Sequence, residues 1–491
     1  MRRIAFLFLA APRADARAGT ARVGTGAIAS PGRAKLGPVW TRHRLLSAVL
    51  ITAAIVSTAA AATRPRYGGT LRVTLQSAPN ALDLPANSAP ADYWDSARVL
   101  SLVADNLVTI DAQNRAHAAL AVAWEADGTA RHWQFTVRPG VKFHDGRAAS
   151  AEAIARILGP LHADWNVHPS GDLLTIDTGT SAPSLLAELA LPRNLILKRN
   201  ANGLPIGTGA FRVEEWQPEK FLKLAANEDS WSGRPFLDAV EIEFGKSLRD
   251  QAIALELGKM DVIEAAPQAS GSTTSLRVRT SLPVELMALA FSANSKAQDG
   301  RLREALALSI DRKPIQSVLL KGAGEPAASV LPNWMTGYSS VFSTEANVQR
   351  AKVVLAESRQ PTLTLSYDPR DPQAQLIAER IALNAREAGI TLQVSLSGAD
   401  DVRLVRVVLP SAEPATSVRE AARQLGSPQP MLHSNAVEDL YQAEHTLLES
   451  HTVIPLFHLP VASAASARVQ DWAPDRLGRW NVQDLWLEDS R

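Results

Sequence analysis

Along most of this chain, short stretches of alternating apolar and polar residues are separated by stretches in which apolar residues recur every three or four positions. Leu71, Val73 and Leu75 alternate within residues 68–77, which predicts a half-buried strand. Within 93–110, Ala97, Leu100, Val103 and Leu107 fall on one face of a predicted helix. Further strands are predicted at 173–177, 211–216 and 240–244, and a helix at 249–258, ended by Gly258, leads into a strand at 260–267. Residues 268–280 are mostly small and polar, a suitable crossing between two compact parts. Beyond them a strand is predicted at 287–291 and an amphipathic helix pair at 301–322, broken near Asp311 and Pro314. Helices at 346–357 and 373–388 and strands at 362–367 and 391–395 complete an irregular α/β succession, unlike a barrel or a propeller.

One stretch invites a catalytic reading. FTVRPGVKFHDG, residues 135–146, ends with adjacent His144 and Asp145. Trp133, Phe135 and Val137 alternate on one side of Pro139-Gly140, and Val141 and Phe143 on the other, so the expectation is a hairpin. Asp145 is then expected to serve local backbone contacts in the turn that follows.

Composition narrows the chemistry. The 491 residues are enough for two or three domains, and the absence of cysteine excludes disulfides, thiolate metal sites, a Cys nucleophile and a lipid anchor on Cys. The near-neutral total hides a split: nine Lys or Arg against one acid precede residue 64, so the remainder is net acidic. An acidic body without a Lys/Arg run argues against nucleic acid as a partner. Arg42, His43 and Arg44 precede an apolar run at 45–62 that ends in small residues, the layout of a secretory signal peptide cleaved near 60–62. About 18 apolar residues is also the lower limit for a membrane span, so an uncleaved anchor is the alternative. Residues 1–41 read as a disordered or mis-assigned extension, with 42–62 as the signal peptide.

Enzyme motifs are scarce. No G-x-S-x-G marks a nucleophile and no G-x-x-x-x-G-K marks a phosphate loop. His445, His451 and His458 are spaced by six and seven, unlike zinc motifs. GTGAF at 207–211 is too short for a dinucleotide fingerprint, and its glycines are expected to allow close backbone packing.

Four segments, GGTLRVTLQSAPNALDL, LVTIDAQNRAHAALAVAWEADGTARHWQFTVRPGVKFHDGRAASAEAI, IGTGAFRVEEWQPEKFLKLAANEDSWSGRPFLDAVEIEF and LREALALSIDRKPI, occur in this order, followed by VIPLFHLPVASAASARVQDW. Together they resemble the family 5 extracellular solute-binding proteins, the peptide- and nickel-type binding components of ABC importers. The resemblance implies a two-lobed α/β clamshell of the type II, cluster C-like kind, with an extra subdomain in the N-terminal lobe. Lobe 1 would comprise 63–87, 173–267 and 453–491, its satellite 88–172, and lobe 2 268–452.

Ligand would sit between the lobes, and closure would present it to a membrane permease. The implied function is periplasmic delivery of a small organic solute, a peptide or peptide-like compound, by a monomer without cofactor or catalysis. Alternatives are a sensor or chaperone of the same fold, or a sugar, opine or metal-chelate cargo. Candidate ligand contacts are Asn87, Tyr93 and Trp94 after the first strand, Thr208 in GTGAF, and the loop aromatics Trp334 and Tyr338. Tyr93 and Trp94 could equally staple the following helix, and Trp231 is expected to pack. Peptide-binding relatives carry an acid that pairs with the peptide's amino terminus. Leu409, Pro410 and Ser411 fill that slot here, leaving Glu413 as a substitute charge.

Overall fold

The computed structural model describes residues 64–84, 90–266, 277–356, 358, 360–371, 373–396, 400–432 and 434–488, and residues 65–491 form one compact unit. The expected signal peptide and Asn87 lie outside the described residues, as does the side chain of Trp94.

The main sheet has ten strands along its path: β1 Thr70–Thr74, β2 Phe211–Gln217, β3 Phe221–Ala226, β4 Ala239–Glu243, β5 Val262–Ala265, β6 Arg277–Phe291, β7 Leu363–Ser366, β8 Leu392–Ser395, β9 Val402–Val408 and β10 Val453–Ala465. Their order is β2-β3-β4-β1-β5-β10-β6-β9-β7-β8, with the short strand Glu325–Pro326 pairing β10 beside this path. β1 is parallel to β4 and β5, and β7 is parallel to β8 and β9; β6 and β10 join the two parallel groups by antiparallel pairing. At 15 residues β6 spans roughly 50 Å, enough to belong to both halves. It begins at Arg277, inside the stretch expected to be a loop crossing, because β10 supplies a ladder there from Arg277–Ala465 to Thr280–Ala462. Residues 284–289 of β6 are all buried or nearly so, and side chains on both faces enter cores, which explains their apolar run.

Each half has its own core. On the β1 side, Leu71, Val73, Leu222, Val240 and Ile242 pack with Val99, Leu100 and Val103 of helix α1, Pro90–Val103. On the β7 side, Leu363, Leu365, Leu404 and Leu456 pack against Ile377 and Ile381 of the helix Ala374–Ala388. A third core, with Trp133, Phe135, Ile154, Leu174 and Ile176, lies under a four-stranded sheet. That sheet runs in the order Ala121–Ala126, His132–Val137, Leu173–Thr178, Trp165–Ser170.

Three expectations change. The helix expected over 93–110 ends at Val103, and Val108–Ile110 instead pairs with Ala116–Ala118 as a small hairpin, since all three of its residues are β-branched and the ladder is available. The strand His132–Val137 pairs with Ala121–Ala126 and Leu173–Thr178, not with 141–143; of the expected return strand only an isolated bridge, Lys142 to Ala148, forms. The boundary expected at 172 falls inside the four-stranded sheet, and α1, placed by sequence in the satellite, packs in the β1 core.

Candidate ligand cleft

In an α/β sheet, ligands favour the crevice beyond the carboxyl ends of parallel strands. Here the residues just past the carboxyl ends of β1 and β7 meet: Gln76 Nε2 donates to the carbonyl of Arg370 at 2.7 Å. Arg370 also pairs with Asp92 of α1 at 2.6 Å and with Asp368 at 2.7 Å. α1 further packs on β9 of the other half.

A second contact zone lies at α2, Pro414–Gln424. Arg193 pairs with Glu188 at 2.5 Å and with Glu420 of α2; Arg423 pairs with the same Glu420 at 2.5 Å. Tyr93, 2 % exposed, lies beneath this cluster with the Arg423 guanidinium 5.7 Å from its ring centroid. Its hydroxyl has no hydrogen-bond partner among the described residues. Burial, reinforced by Glu420, drives the Tyr93 phenol well above the usual range.

Between these zones, charges are buried in pairs. Asp95 pairs with Arg98 at 3.0 Å, and Arg406 bridges Glu285 at 3.2 Å and Asp371 at 2.8 Å. Burial pushes the Asp95 and Glu285 carboxyls up against the pull of these guanidiniums. Glu264, at the end of β5, accepts from the Gln76 backbone N–H at 2.5 Å and from Gln251 Nε2 at 3.0 Å. Burial, with Asp95 nearby, pushes its carboxyl up to about 7. A cavity of about 20 Å3, lined in part by Arg98, Glu264, Arg279, Ser463 and Trp480, sits beside this cluster.

The sequence candidates fall in different places. Tyr93 faces the α2 contact zone. Thr208 is fully buried in the first half, and its hydroxyl donates to Asp105 at 2.7 Å, where Trp231 Nε1 also donates at 2.9 Å. Trp334 is partly buried and donates to the Pro283 carbonyl at 2.9 Å. Tyr338 stacks edge-on against Tyr441, with 5.5 Å between ring centroids. Glu413 is buried and fully engaged: one carboxylate oxygen caps α2 by accepting from the Thr416 N–H at 2.6 Å, and the other accepts from Ser184 across the cleft at 2.8 Å. Leu409 and Ser411, in the slot expected to hold an acid, are buried as well.

His144 proves to be an anchor. Its backbone N–H donates to the Gly207 carbonyl at 2.9 Å and its Nε2 to the Gly209 carbonyl at 3.0 Å, so it ties the satellite to GTGAF. Asp145 pairs with Lys198 at 2.7 Å and accepts from the Arg147 N–H at 3.2 Å. A Cβ on Gly207 would lie 2.2 Å from the Val103 carbonyl oxygen, which is the close packing expected of these glycines. His458 is buried, with Nε2 against the Val330 carbonyl at 3.0 Å, and burial holds it down at about 4. His445 and His451 both lie against the Phe342 ring, and no group of three potential metal ligands occurs among the described residues.

Arg193, Glu420 and Arg423 were not singled out in the sequence; the i, i+3 pair of Glu420 and Arg423 on one helix face is the only local signal for them. Asp95 and Arg98 show the same spacing.

The model of "Bacterial extracellular solute-binding proteins, family 5 Middle" matches residues 115–404, more than half of the chain. The nickel-binding protein NikA of Staphylococcus aureus is 25 % identical over 290 residues, 54 % of this chain and 58 % of that protein. The oligopeptide-binding protein AppA of Bacillus subtilis is 26 % identical over 259 residues, 45 % of this chain and 47 % of that protein. The chain thus spans about half the length of these curated relatives. Among solved structures, the binding protein AgaA in complex with agropinic acid, from A. tumefaciens R10, superposes with a TM-score of 0.75 at 18 % identity, covering 86 % of this chain and 99 % of that one. That likeness supports the two-lobed type II binding-protein fold. The chain belongs to the family 5 bacterial extracellular solute-binding proteins.

Proposed function

We propose that this protein is a periplasmic substrate-binding protein, exported by the signal peptide at 42–62, that delivers a small organic solute to an ABC-type importer. The solute is a peptide or peptide-like compound, held as two lobes close around it; the protein acts as a monomer and performs no covalent chemistry. The observation that carries this reading is the meeting of α1 with β9, α2 and the end of β7, across a sheet whose halves are joined by β6 and β10. A ligand that touches both halves only when they are together favours closure by its differential affinity. Lobe 1 takes 63–87, most of 173–267 and 453–491, and lobe 2 takes 268–452. Core membership supports assigning α1 to lobe 1 rather than to the satellite, and the segment around Leu174–Ile196 to the satellite.

A second reading keeps the mechanism and changes the cargo. Leu409, Pro410 and Ser411 offer no carboxylate for a peptide amine, and both Glu413 oxygens already have protein partners. This favours a non-peptide solute such as a sugar, opine or metal chelate. Thermal shift against di- to pentapeptides, sugars, opines and metal chelates tests both readings. A ligand at about 100 times its Kd adds about 2.7 kcal/mol of stability. Stabilisation by peptides supports the first reading and stabilisation by another class alone the second. Turnover of generic esterase or peptidase substrates that survives repurification would overturn both.

A further inference from the structure

The α2 contact zone holds more charge than lobe packing needs. Arg193, on the first half, sits between two carboxylates: Glu188 from its own half and Glu420 from α2. The Glu420 side chain is fully buried and takes a second guanidinium, Arg423, at 2.5 Å and 3.0 Å through its two oxygens. The four groups form an unbroken chain, Glu188–Arg193–Glu420–Arg423, whose middle link crosses the cleft over 227 residues of sequence. Ser184 to Glu413 at 2.8 Å and Asp92 to Arg370 at 2.6 Å also join the two halves.

Opening the cleft would separate Arg193 from Glu420 but leave each with its other partner, Glu188 or Arg423. Neither charge is then stranded in the open form, so the crossing pair can break and remake without the penalty of an isolated buried ion. Each half keeps a neutral dyad when open, and the two dyads merge into one chain when closed. A structural ion pair meant never to break needs no spare partners.

We propose that Arg193 and Glu420 form an ionic latch that draws the two halves together before ligand binds, with Glu188 and Arg423 as the resting partners of the separated halves. This rests on the two-lobed reading only in that the halves move; it makes no use of ligand identity. The latch sets how far the unliganded protein already populates the closed form, and thereby how much of a ligand's affinity must be spent on closure.

The absence of cysteine allows a direct test. Lys220→Cys and Lys352→Cys, both on exposed positions, one on each half, carry a spin-label pair whose distance distribution is read in the unliganded protein. The expected result is a short-distance population whose ratio to the long-distance one falls about tenfold in Glu420→Gln and in Arg193→Met. In wild type the same ratio falls as salt is raised, since the Arg193 side chain is partly exposed and salt reaches both charges once the halves separate. A distribution unchanged by both variants and by salt, or the complete absence of a short-distance population in wild type, overturns the latch. The salt series uses the unaltered network, so a folding defect in either variant leaves the test intact. A ligand-induced shift can succeed or fail independently of these outcomes and reports on the transport reading instead.

Discussion

Gly207→Ala isolates a single contact on which both the satellite and α1 depend. Gly207 has no positive-φ backbone, so alanine is conformationally acceptable, and the obstacle is space alone. A Cβ there would stand 2.2 Å from the Val103 carbonyl oxygen, 2.6 Å from Ala104 Cβ and 2.7 Å from Ala104 Cα. Ordinary carbon contacts need about 3.5 Å, so the backbone at the end of α1 must retreat by about 1 Å. Overpacking of a tight interior costs about 1–3 kcal/mol. The movement also strains the Gly209 N–H to Val103 carbonyl bond and the His144 N–H to Gly207 carbonyl bond, both 2.9 Å, each worth about 0.5–1.5 kcal/mol. The expected loss is about 3 kcal/mol, measured by urea unfolding followed through Trp fluorescence, with Trp231 on the adjacent Asp105 as one reporter. Gly140→Ala is the counterpart: its φ is +79° but nothing crowds it, so about 1 kcal/mol of backbone strain is expected. If Gly207→Ala unfolds within 1 kcal/mol of wild type, or loses less than Gly140→Ala, the packing argument fails.

Three other substitutions probe different interactions. Tyr93→Phe removes a buried hydroxyl without a partner, so melting temperature should hold or rise slightly, while affinity for any ligand found by thermal shift should fall if that hydroxyl serves it. Glu413→Ala should cost about 1–2 kcal/mol in urea unfolding, since it removes the α2 cap and the bond from Ser184. Burial pushes the Glu444 carboxyl up to about 8 from 4.5, so between these pH values the folded protein holds a proton that the unfolded chain has released. Its contribution is therefore fully present below about pH 4.5 and is lost as pH rises through 8. Glu444→Gln keeps an acceptor for the Leu331 N–H, and its melting temperature should fall less than that of wild type between pH 6 and pH 8.5; equal slopes would refute the shift.

Much of the architecture is written locally. Alternation at Leu71, Val73 and Leu75, and at the strands near 211, 240 and 362, predicts the strands found there, because a half-buried strand imposes its two-residue period on its own neighbours. The glycines of GTGAF read correctly as a close approach, since only the lack of a side chain could matter in so short a motif. The partners of those elements were not legible. The strand 132–137 has the right period but its ladder comes from residues on either side of it in the chain, and β6 begins ten residues before the strand expected at 287–291 because β10 is there to pair it. The order of paired charges was hidden for the same reason. Arg193 meets Glu420 across 227 residues and Arg370 meets Asp92 across 278, and no period or motif spans such separations. Burial patterns arise from what lies within a few residues and so persist in sequence, whereas the cleft is made of residues that become neighbours only once β6 and β10 bring the two halves together.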